Sequence, residues 1–310
     1  MTAPGPPVAP PPQSTRLAVL IPFAVITLIW GSTWIVIRDQ LGTVPPSWSV
    51  AYRFGIGGAV MLVWAAWRGE LVRLDARGWA FASTLGTAQF VLNFNFVYRA
   101  EQYVTSGLVA VVFALLLVPN AILARLFLGQ RMGGQLLAGS VVAMAGVALL
   151  FIHEARVDPT ATGAVVTGVG LTLMGVLSAS TANVMQATRL SRAYPMSLIV
   201  SVAMLVGAGV NVLFALMTVG APVFDWRPSY ILGVLYLGIV ASALAFTLYF
   251  GLIRTIGPAK AAYSSVIIPV IAMLLSTVFE GYRWSALAVA GGALAMIGLV
   301  IALRARRPNR

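Results

Sequence analysis

Amide and aromatic side chains that could bind a ligand lie close together in one apolar stretch of the first half. It reads Gln89-Phe-Val-Leu-Asn93-Phe-Asn95-Phe-Val-Tyr98. In a helix, Gln89 and Asn93 lie four residues apart on one face, and Phe94 and Tyr98 lie on an adjoining face. An amide face beside an aromatic face suits a small polar ligand that is uncharged or zwitterionic. The alternative is that the amides only form hydrogen bonds that hold helices together.

Three further polar residues could extend this site. Asn183 and Gln186 lie three residues apart and could form a second amide face, although contact with loop solvent is a competing interpretation. Arg53 lies inside another apolar stretch. It could bind a substrate carboxylate, but snorkelling to the surface or structural pairing is the favoured interpretation.

Aromatic residues supply candidate walls for a binding cavity. Trp30 falls well inside its apolar stretch and suits such a wall, whereas Trp34 is as readily an interfacial anchor as part of a site. In the second half of the chain, Phe246 and Tyr263 would stack on a ligand or enclose it together with Phe94 and Tyr98. Asn93 and Asn95 would bind the polar end of that ligand.

The residues needed for catalysis are scarce. The chain has no cysteine and one histidine, His153, which excludes thiol chemistry, disulfides and imidazole clusters. No acidic residue falls in the middle of an apolar stretch, because Glu101 and Glu280 lie at helix ends. We therefore expect no enzymatic activity, no metal and no cofactor. An intramembrane enzyme and a scaffold or channel component remain as distant alternatives.

The sequence also indicates which energy source could drive the movement of a substrate. It contains no phosphate-binding G-x-x-x-x-G-K-[ST] loop, so this chain alone is not expected to use ATP. The lack of a carboxylate within the apolar stretches favours facilitated or weakly coupled movement of a small-molecule substrate. A coupling ion bound by backbone carbonyls would leave no mark in the sequence.

Composition identifies the surroundings of the chain as a lipid bilayer. Of 310 residues, 60% are hydrophobic and 9% are charged, and the mean hydropathy is +0.93, which exceeds what a soluble core can bury. Stretches of about 20 apolar residues can cross a bilayer as helices. Such stretches occur at 17–37, 47–67, 79–98, 104–124, 133–152, 163–187, 196–219, 229–253, 258–279 and 285–303.

Charge placement predicts the orientation in the membrane. The net charge of +12 would suggest a nucleic-acid partner in a soluble protein, but here the basic residues mark one side of the bilayer and we expect no nucleic acid. Arg68, Arg73 and Arg77, for example, share one connecting loop. The positive-inside rule then places both termini in the cytoplasm. We expect the protein to lie in the inner (cytoplasmic) membrane.

The second half of the chain repeats the first without a gap. An offset of 152 residues superimposes Phe127 on Phe279 and Gly129 on Gly281. Each copy holds five predicted helices, an odd number, so the second copy begins on the opposite side of the membrane. The sequence therefore predicts an all-α integral membrane protein of ten transmembrane helices, built as two inverted five-helix repeats. Inverted repeats of this kind build secondary transporters, and a duplicated scaffold without transport is the alternative.

This repeat divides the chain into predicted units. Residues 1–15 form a disordered Pro-rich cytoplasmic tail, and 16–152 form the first repeat. The second, inverted repeat spans 163–304, and 305–310 form a basic tail. Across the repeat, Phe246 superimposes on Phe94 while the amides have no counterparts, so the predicted site is asymmetric.

The fifth and tenth predicted helices carry the same stripe of small residues, which allows close backbone approach in lipid. We expect these two helices to pack together at the periphery, either within one chain or across the seam of a homodimer. The alternative is that membrane helices simply tolerate glycine at these positions. The stripe consists of Gly139, Ala143, Gly146, Gly291, Ala295 and Gly298.

Two prolines interrupt apolar stretches, since Pro119 and Pro269 lie inside the fourth and ninth predicted helices. A missing amide donor permits a kink there, which could act as a gating hinge or simply as kinked packing.

These features together resemble the drug/metabolite transporter superfamily, in its ten-helix group of two EamA domains. The resemblance covers residues 20–303 and is carried by Trp30-Gly-Ser-Thr-Trp34, Tyr52-Arg53-Phe54, Val104-Thr-Ser-Gly107, Phe127-Leu-Gly129-Gln-Arg131 and the stripe from Gly139 to Gly146. The chain departs from the family's common Leu-Gly-Glu at Gln130.

Within this superfamily the chain is most similar to bacterial exporters of amino acids and related metabolites. The resemblance implies a central cavity lined by helices three, four, six, eight and nine together with helix one. We therefore expect export of a neutral or aromatic amino acid, or a related metabolite, by alternating access. Transport of a drug or of a sugar conjugate is the alternative.

Overall fold

The computed structural model describes residues 13–129, 134–157, 162–256, 261 and 264–303. These residues form helices, turns and connecting loops, with no strand among them. Tyr263 and Gln130 lie outside the described residues, as do most of both predicted tails. The first helix begins at Gln13, inside the predicted disordered tail of 1–15.

The described part of each predicted apolar stretch is helical apart from one or two residues at its ends. In chain order the α-helices are α1 Gln13–Gln40, α2 Pro46–Trp67, α3 Ala76–Gly86, α4 Phe94–Ala100, α5 Ser106–Phe113, α6 Leu117–Leu128, α7 Gly134–Val157, α8 Thr162–Gln186, α9 Met196–Thr218, α10 Pro228–Leu235, α11 Ala245–Ile256, α12 Ser264–Phe279 and α13 Ala286–Leu303.

Three of the predicted helices change character along their length. A π-helix, Thr87–Asn93, joins α3 to α4, and a second one, Tyr236–Leu244, joins α10 to α11. A short 3-10 segment, Ala114–Leu116, joins α5 to α6. Hydropathy does not distinguish a π-turn from an α-turn, so these interruptions could not be predicted from the apolar stretches. Such π segments often occur at functional sites.

Helix length and composition identify a multi-pass membrane protein. Within the described ranges, six helices are long and apolar enough to cross a bilayer, and three shorter apolar helices accompany them. The six are Ala18–Gln40, Pro46–Trp67, Ser106–Leu128, Thr162–Gln186, Met196–Thr218 and Pro228–Ile253. The full count of ten spans and the inverted relation of the two halves stay predictions.

Glycines bring helix backbones into contact beside both π-helices. A Cβ atom on Gly86 would collide with the backbone carbonyl of Ala203 in α9. The residue that the 152-residue offset pairs with it, Gly238, would place a Cβ 3.0 Å from the carbonyl oxygen of Arg53 in α2. Any larger residue would push these helices apart, so both π-helices are held against the central pair α2 and α9.

The predicted small-residue stripe lies at a close contact between α7 and α13. A Cβ on Gly146 would lie 2.6 Å from the carbonyl oxygen of Gly291, and a Cβ on Gly298 would lie 2.6 Å from that of Gly139. Both would also collide with the backbone of the facing alanine, Ala295 or Ala143. This contact forms within one chain.

This contact predicts that alanine substitutions at two glycines differ in their effect on stability. Gly146→Ala should lower the stability by about 1–3 kcal/mol, because the added methyl group has no room against the backbone of α13. The measurement is the midpoint of thermal unfolding in detergent. Gly292→Ala is the matched control, since a Cβ there meets nothing within 4 Å. Equal midpoints for the two variants would contradict the packing described.

Candidate functional site

A cavity of about 110 Å³ lies at the centre of the helices. Its walls come from α1, α2, the π-helix Thr87–Asn93, α4, the α5 to α6 segment, α8, α11 and α12. Seven of the predicted site and hinge residues line it: Trp30, Arg53, Asn93, Phe94, Asn183, Phe246 and Pro269. The structure thus brings together residues that lie up to 239 positions apart in the chain.

Aromatic rings form one wall. Trp30 packs against Phe246 and Tyr249, with ring centroids 5.4 and 4.9 Å apart. Its indole nitrogen donates a hydrogen bond to the backbone carbonyl of Ala241, at 3.1 Å, inside the second π-helix. The Phe94 ring lies across from Phe246 at 6.5 Å. The bond to Ala241 fixes the indole, so this wall is positioned before any ligand arrives.

Arg53 is buried in the protein and does not snorkel to the surface. Its side chain is 1% exposed, and its Nε donates to the hydroxyl of Ser242 at 3.0 Å. The guanidinium lies over the Phe94 ring, 4.4 Å from the ring centroid. One terminal nitrogen, Nη1, has no hydrogen-bond partner among the described residues. Structural pairing therefore satisfies only part of the hydrogen-bonding capacity of this guanidinium.

Amide side chains occupy another part of the lining. Gln89 and Asn93 both lie in the first π-helix, and the oxygens Gln89 Oε1 and Asn93 Oδ1 have no donor within the described ranges. Asn183 in α8 donates to Asn120 in α6 at 3.5 Å. The cavity therefore carries amide acceptors and a cationic donor that the protein itself leaves unpaired, a costly arrangement in a buried site.

Three predicted site residues lie outside the lining. Asn95 accepts a hydrogen bond from Ser47 at 3.1 Å and one from Arg99 at 2.6 Å, and it donates to Asn211. Tyr98 is buried and donates to Gln40 Oε1 at 3.2 Å. Their contacts link α4 to α1, α2 and α9. A substrate-binding role for Asn95 and Tyr98 stays a prediction, and neither residue lines the cavity.

Gln186, the third of these residues, is buried at the end of α8, where its backbone carbonyl accepts a hydrogen bond from Ser191 at 2.8 Å. Gln186 is 3% exposed, so the competing interpretation of contact with loop solvent is not supported. Its partner in the predicted amide face, Asn183, lines the cavity instead.

The two prolines differ in their relation to the cavity. Pro269 lines it from α12, whereas Pro119 lies in α6 beside the lining residue Asn120. Both helices contribute to the walls, and their role as hinges stays a prediction.

Sequence reasoning missed several lining residues, among them Tyr249 and Asn120. Tyr249 follows Phe246 by three residues and shares its helix face, so the helical period would have found it. Asn120 is a polar residue inside an apolar stretch, the same signal that identified Asn93. Its position directly after Pro119 drew attention to the kink instead.

Both halves of the chain are similar to known transporters. Residues 18–152 and 166–304 match the EamA-like transporter family. The protein PagO of Salmonella typhimurium is 26% identical over 94% of this chain and 94% of its own length. The uncharacterized inner membrane transporter YedA of Escherichia coli is 29% identical over 88% of each chain.

Two further comparisons bear on substrate and fold. A probable terminal-alkyne amino-acid exporter of Streptantibioticus cattleyicolor is 26% identical over 71% of this chain and 70% of its own length. A protein crystal structure superimposes with a TM-score of 0.66 at 23% identity, covering 93% of this chain and 97% of the other. That likeness concerns the fold alone.

The contacts of Asn93 and Asn95 predict effects of different size on stability when each residue is replaced by alanine. Asn95→Ala should lower the stability by about 1–3 kcal/mol, because it leaves Asn211 and Arg99 without their buried partner. Asn93→Ala removes an oxygen that has no partner and should change stability much less. Thermal unfolding in detergent measures both. An equal loss in the two variants would contradict this division between structural and cavity residues.

Proposed function

The chain belongs to the EamA-like transporter family, and we propose that it exports a small neutral or aromatic amino acid, or a related metabolite, by alternating access. The observation that carries this proposal is that residues lining one cavity include both a donor and acceptors without hydrogen-bond partners. Arg53 supplies an unpaired cationic donor, and the Gln89 and Asn93 side chains supply unpaired amide oxygens.

These groups suit the two charged ends of an amino acid. A carboxylate on Arg53 would form charge-assisted hydrogen bonds, which are shorter and stronger than neutral ones. An ammonium group could donate to Gln89 and Asn93, which lie four residues apart in the same π-helix. The three unpaired atoms are enclosed in the unliganded protein. Each side chain would therefore rotate to bring its atom to the ligand.

The aromatic wall suits the side chain of such a ligand. Trp30, Phe246 and Tyr249 form a continuous ring surface that would stack on an apolar or aromatic group. The cavity volume of about 110 Å³ is well below the roughly 300–1,000 Å³ typical of sites for drug-sized ligands. Size therefore favours an amino acid over a bulky drug or sugar conjugate.

The charge of the lining argues against a cationic drug. A lipophilic cation is expected to require a carboxylate in its site. The lining residues include one arginine and no aspartate or glutamate in the part of the chain that the structure describes. We also propose no enzymatic activity, since the lining offers no general base.

The transport mechanism follows from the proposed symmetry. Ten spanning helices in two inverted halves, 16–152 and 163–304, would expose the central cavity to one side of the membrane at a time. We place the protein in the inner membrane with both termini in the cytoplasm. The name of the Escherichia coli relative as an inner membrane transporter and the basic loops support this placement.

Substrate counterflow in proteoliposomes tests the amino-acid proposal. The purified protein should exchange a radiolabelled amino acid with saturation, and Arg53→Gln should raise the half-saturating concentration about tenfold or more through the lost charge-assisted contact. Arg73→Gln, in an exposed loop, is the matched control and should leave it unchanged. No saturable exchange for any common amino acid would contradict the proposal.

Competition by modified amino acids isolates the proposed role of Arg53. The methyl ester of a transported amino acid lacks the carboxylate charge and should compete much more weakly than its parent with the wild-type protein. In Arg53→Gln the two should compete alike. An ester that loses competitive strength equally in both proteins would assign carboxylate recognition to another residue.

A further inference from the structure

A carboxyl group without a partner lies one helical turn beyond the cavity. Asn93 and Val97 line the cavity at a spacing of four residues, and Glu101 continues this series at the end of α4. Its amide donates to the Val97 carbonyl at 3.1 Å. The residue is fully buried, and both carboxyl oxygens lack a hydrogen-bond donor among the described residues.

Other charged groups surround this carboxyl. Arg38, at the end of α1, donates to the backbone carbonyl of Glu101 and pairs with Glu280 at 3.5 Å. Glu280, just beyond α12, also accepts from the Ser106 hydroxyl at 2.6 Å. These contacts tie the ends of α1 and α12 to the turn that joins α4 to α5. They use Arg38 and Ser106 without supplying the Glu101 side chain with a donor.

The balance of these groups disfavours a charged Glu101. Arg38 on α1 and Arg53 on α2 would stabilise its carboxylate, whereas Glu280 beyond α12 opposes it. Tyr98 of α4 also interacts with it electrostatically. In the turn between α4 and α5, burial raises the pKa of Glu101 well above its usual range, and the neighbouring Glu280 raises it further. A buried carboxyl without donors is more stable protonated.

We propose that Glu101 is a proton-binding site, and that the ends of α1 and α12 close over the α4 to α5 turn when this carboxyl carries a proton. Closure removes the group from water beside Glu280, so it requires the neutral form. Opening admits water to the group, and the carboxyl can then release its proton to that side. Protonation forms one O–H bond on the Glu101 carboxyl group, and transfer of the proton to water breaks that bond. No other bond on Glu101 changes.

This inference deepens the proposed function and rests on its alternating access. It also revises the expectation of facilitated or weakly coupled transport, which rested on the position of Glu101 at a helix end. Sequence position placed this residue near the membrane surface, but the neighbouring helices enclose it. A protonatable group that must be neutral for one closure gives a pH gradient a way to bias the transport cycle.

The sign of the pH dependence follows from the direction of the shift. A group whose pKa is raised in the closed state stabilises that state at low pH, and the stabilisation is lost as the pH rises through the raised pKa. Acidic pH should therefore favour the closed ends, and alkaline pH should favour the open ends.

The test measures, as a function of pH, the distance between the α4 to α5 turn and the segment that follows α12. The chain has no cysteine, so Gln102→Cys and Trp284→Cys, both at exposed positions, can carry nitroxide labels for double electron–electron resonance in proteoliposomes. The distance distribution should lengthen from acidic to alkaline pH. A wild-type distribution that does not respond to pH would overturn the proposal, and this measurement needs no change at Glu101.

Variants of the doubly labelled protein test whether Glu101 is the group that binds the proton. Glu101→Gln should keep the short distance at every pH, whereas Asp39→Asn, an exposed carboxylate at the same end, should respond as the wild type does. Glu280→Gln should move the transition to lower pH, because it removes the neighbouring negative charge. A response that survives in Glu101→Gln, or that disappears in Glu280→Gln alone, would overturn the assignment to Glu101.

A transport measurement separates this inference from the proposed substrate. Glu101→Gln should retain amino-acid counterflow at equal pH on both sides while losing the stimulation by a pH gradient. Stimulation that persists in this variant would contradict a coupling role. A pH-dependent distance in a protein that exchanges no amino acid would overturn the substrate and leave the proton site standing.

Discussion

Close approach of helix backbones at glycine is the constraint on which this membrane protein depends. In lipid, apolar side chains gain little by leaving one apolar surrounding for another, so helices associate where their backbones fit closely. Gly146 and Gly298 allow this for α7 and α13, and Gly86 and Gly238 allow it beside the two π-helices. The second pair of contacts matters more for function, because it sets the positions of the helices that line the cavity.

The π-helices connect this packing to the site. The first carries Gln89 and Asn93 into the cavity, and the second offers the Ala241 carbonyl to Trp30 and the Ser242 hydroxyl to Arg53. The two halves therefore contribute different things. The first half supplies most of the groups left free for a ligand, and the second half supplies the groups that hold the first half's side chains in place. This asymmetry suits a site that must recognise a ligand without two-fold symmetry.

Two ionisable groups deep in the protein lack some or all of their hydrogen-bond partners among the described residues. Arg53 has an unpaired nitrogen at the cavity, and Glu101 has no donor one turn beyond it. An uncompensated buried charge is costly, and in membrane proteins such residues commonly mark ligand or proton pathways. Arg53 also acts electrostatically on Glu101, so the charge at the cavity and the protonation of Glu101 influence each other.

Much of the architecture was predictable from the residues themselves. Composition determined the membrane environment, and helix-forming apolar stretches determined where helices lie, since the cost of unpaired backbone groups in lipid permits little else. The small-residue stripe predicted the contact between α7 and α13. Six predicted polar and aromatic site residues line the cavity, and the hinge candidate Pro269 is a seventh. Tertiary structure alone decided which polar residues face the cavity. Asn93 lines it while Asn95, two positions away, joins a buried network with Asn211, because helix periodicity sends them to different neighbours. It also decided that Arg53 and Glu101 are buried, since burial depends on helices distant in sequence closing around them.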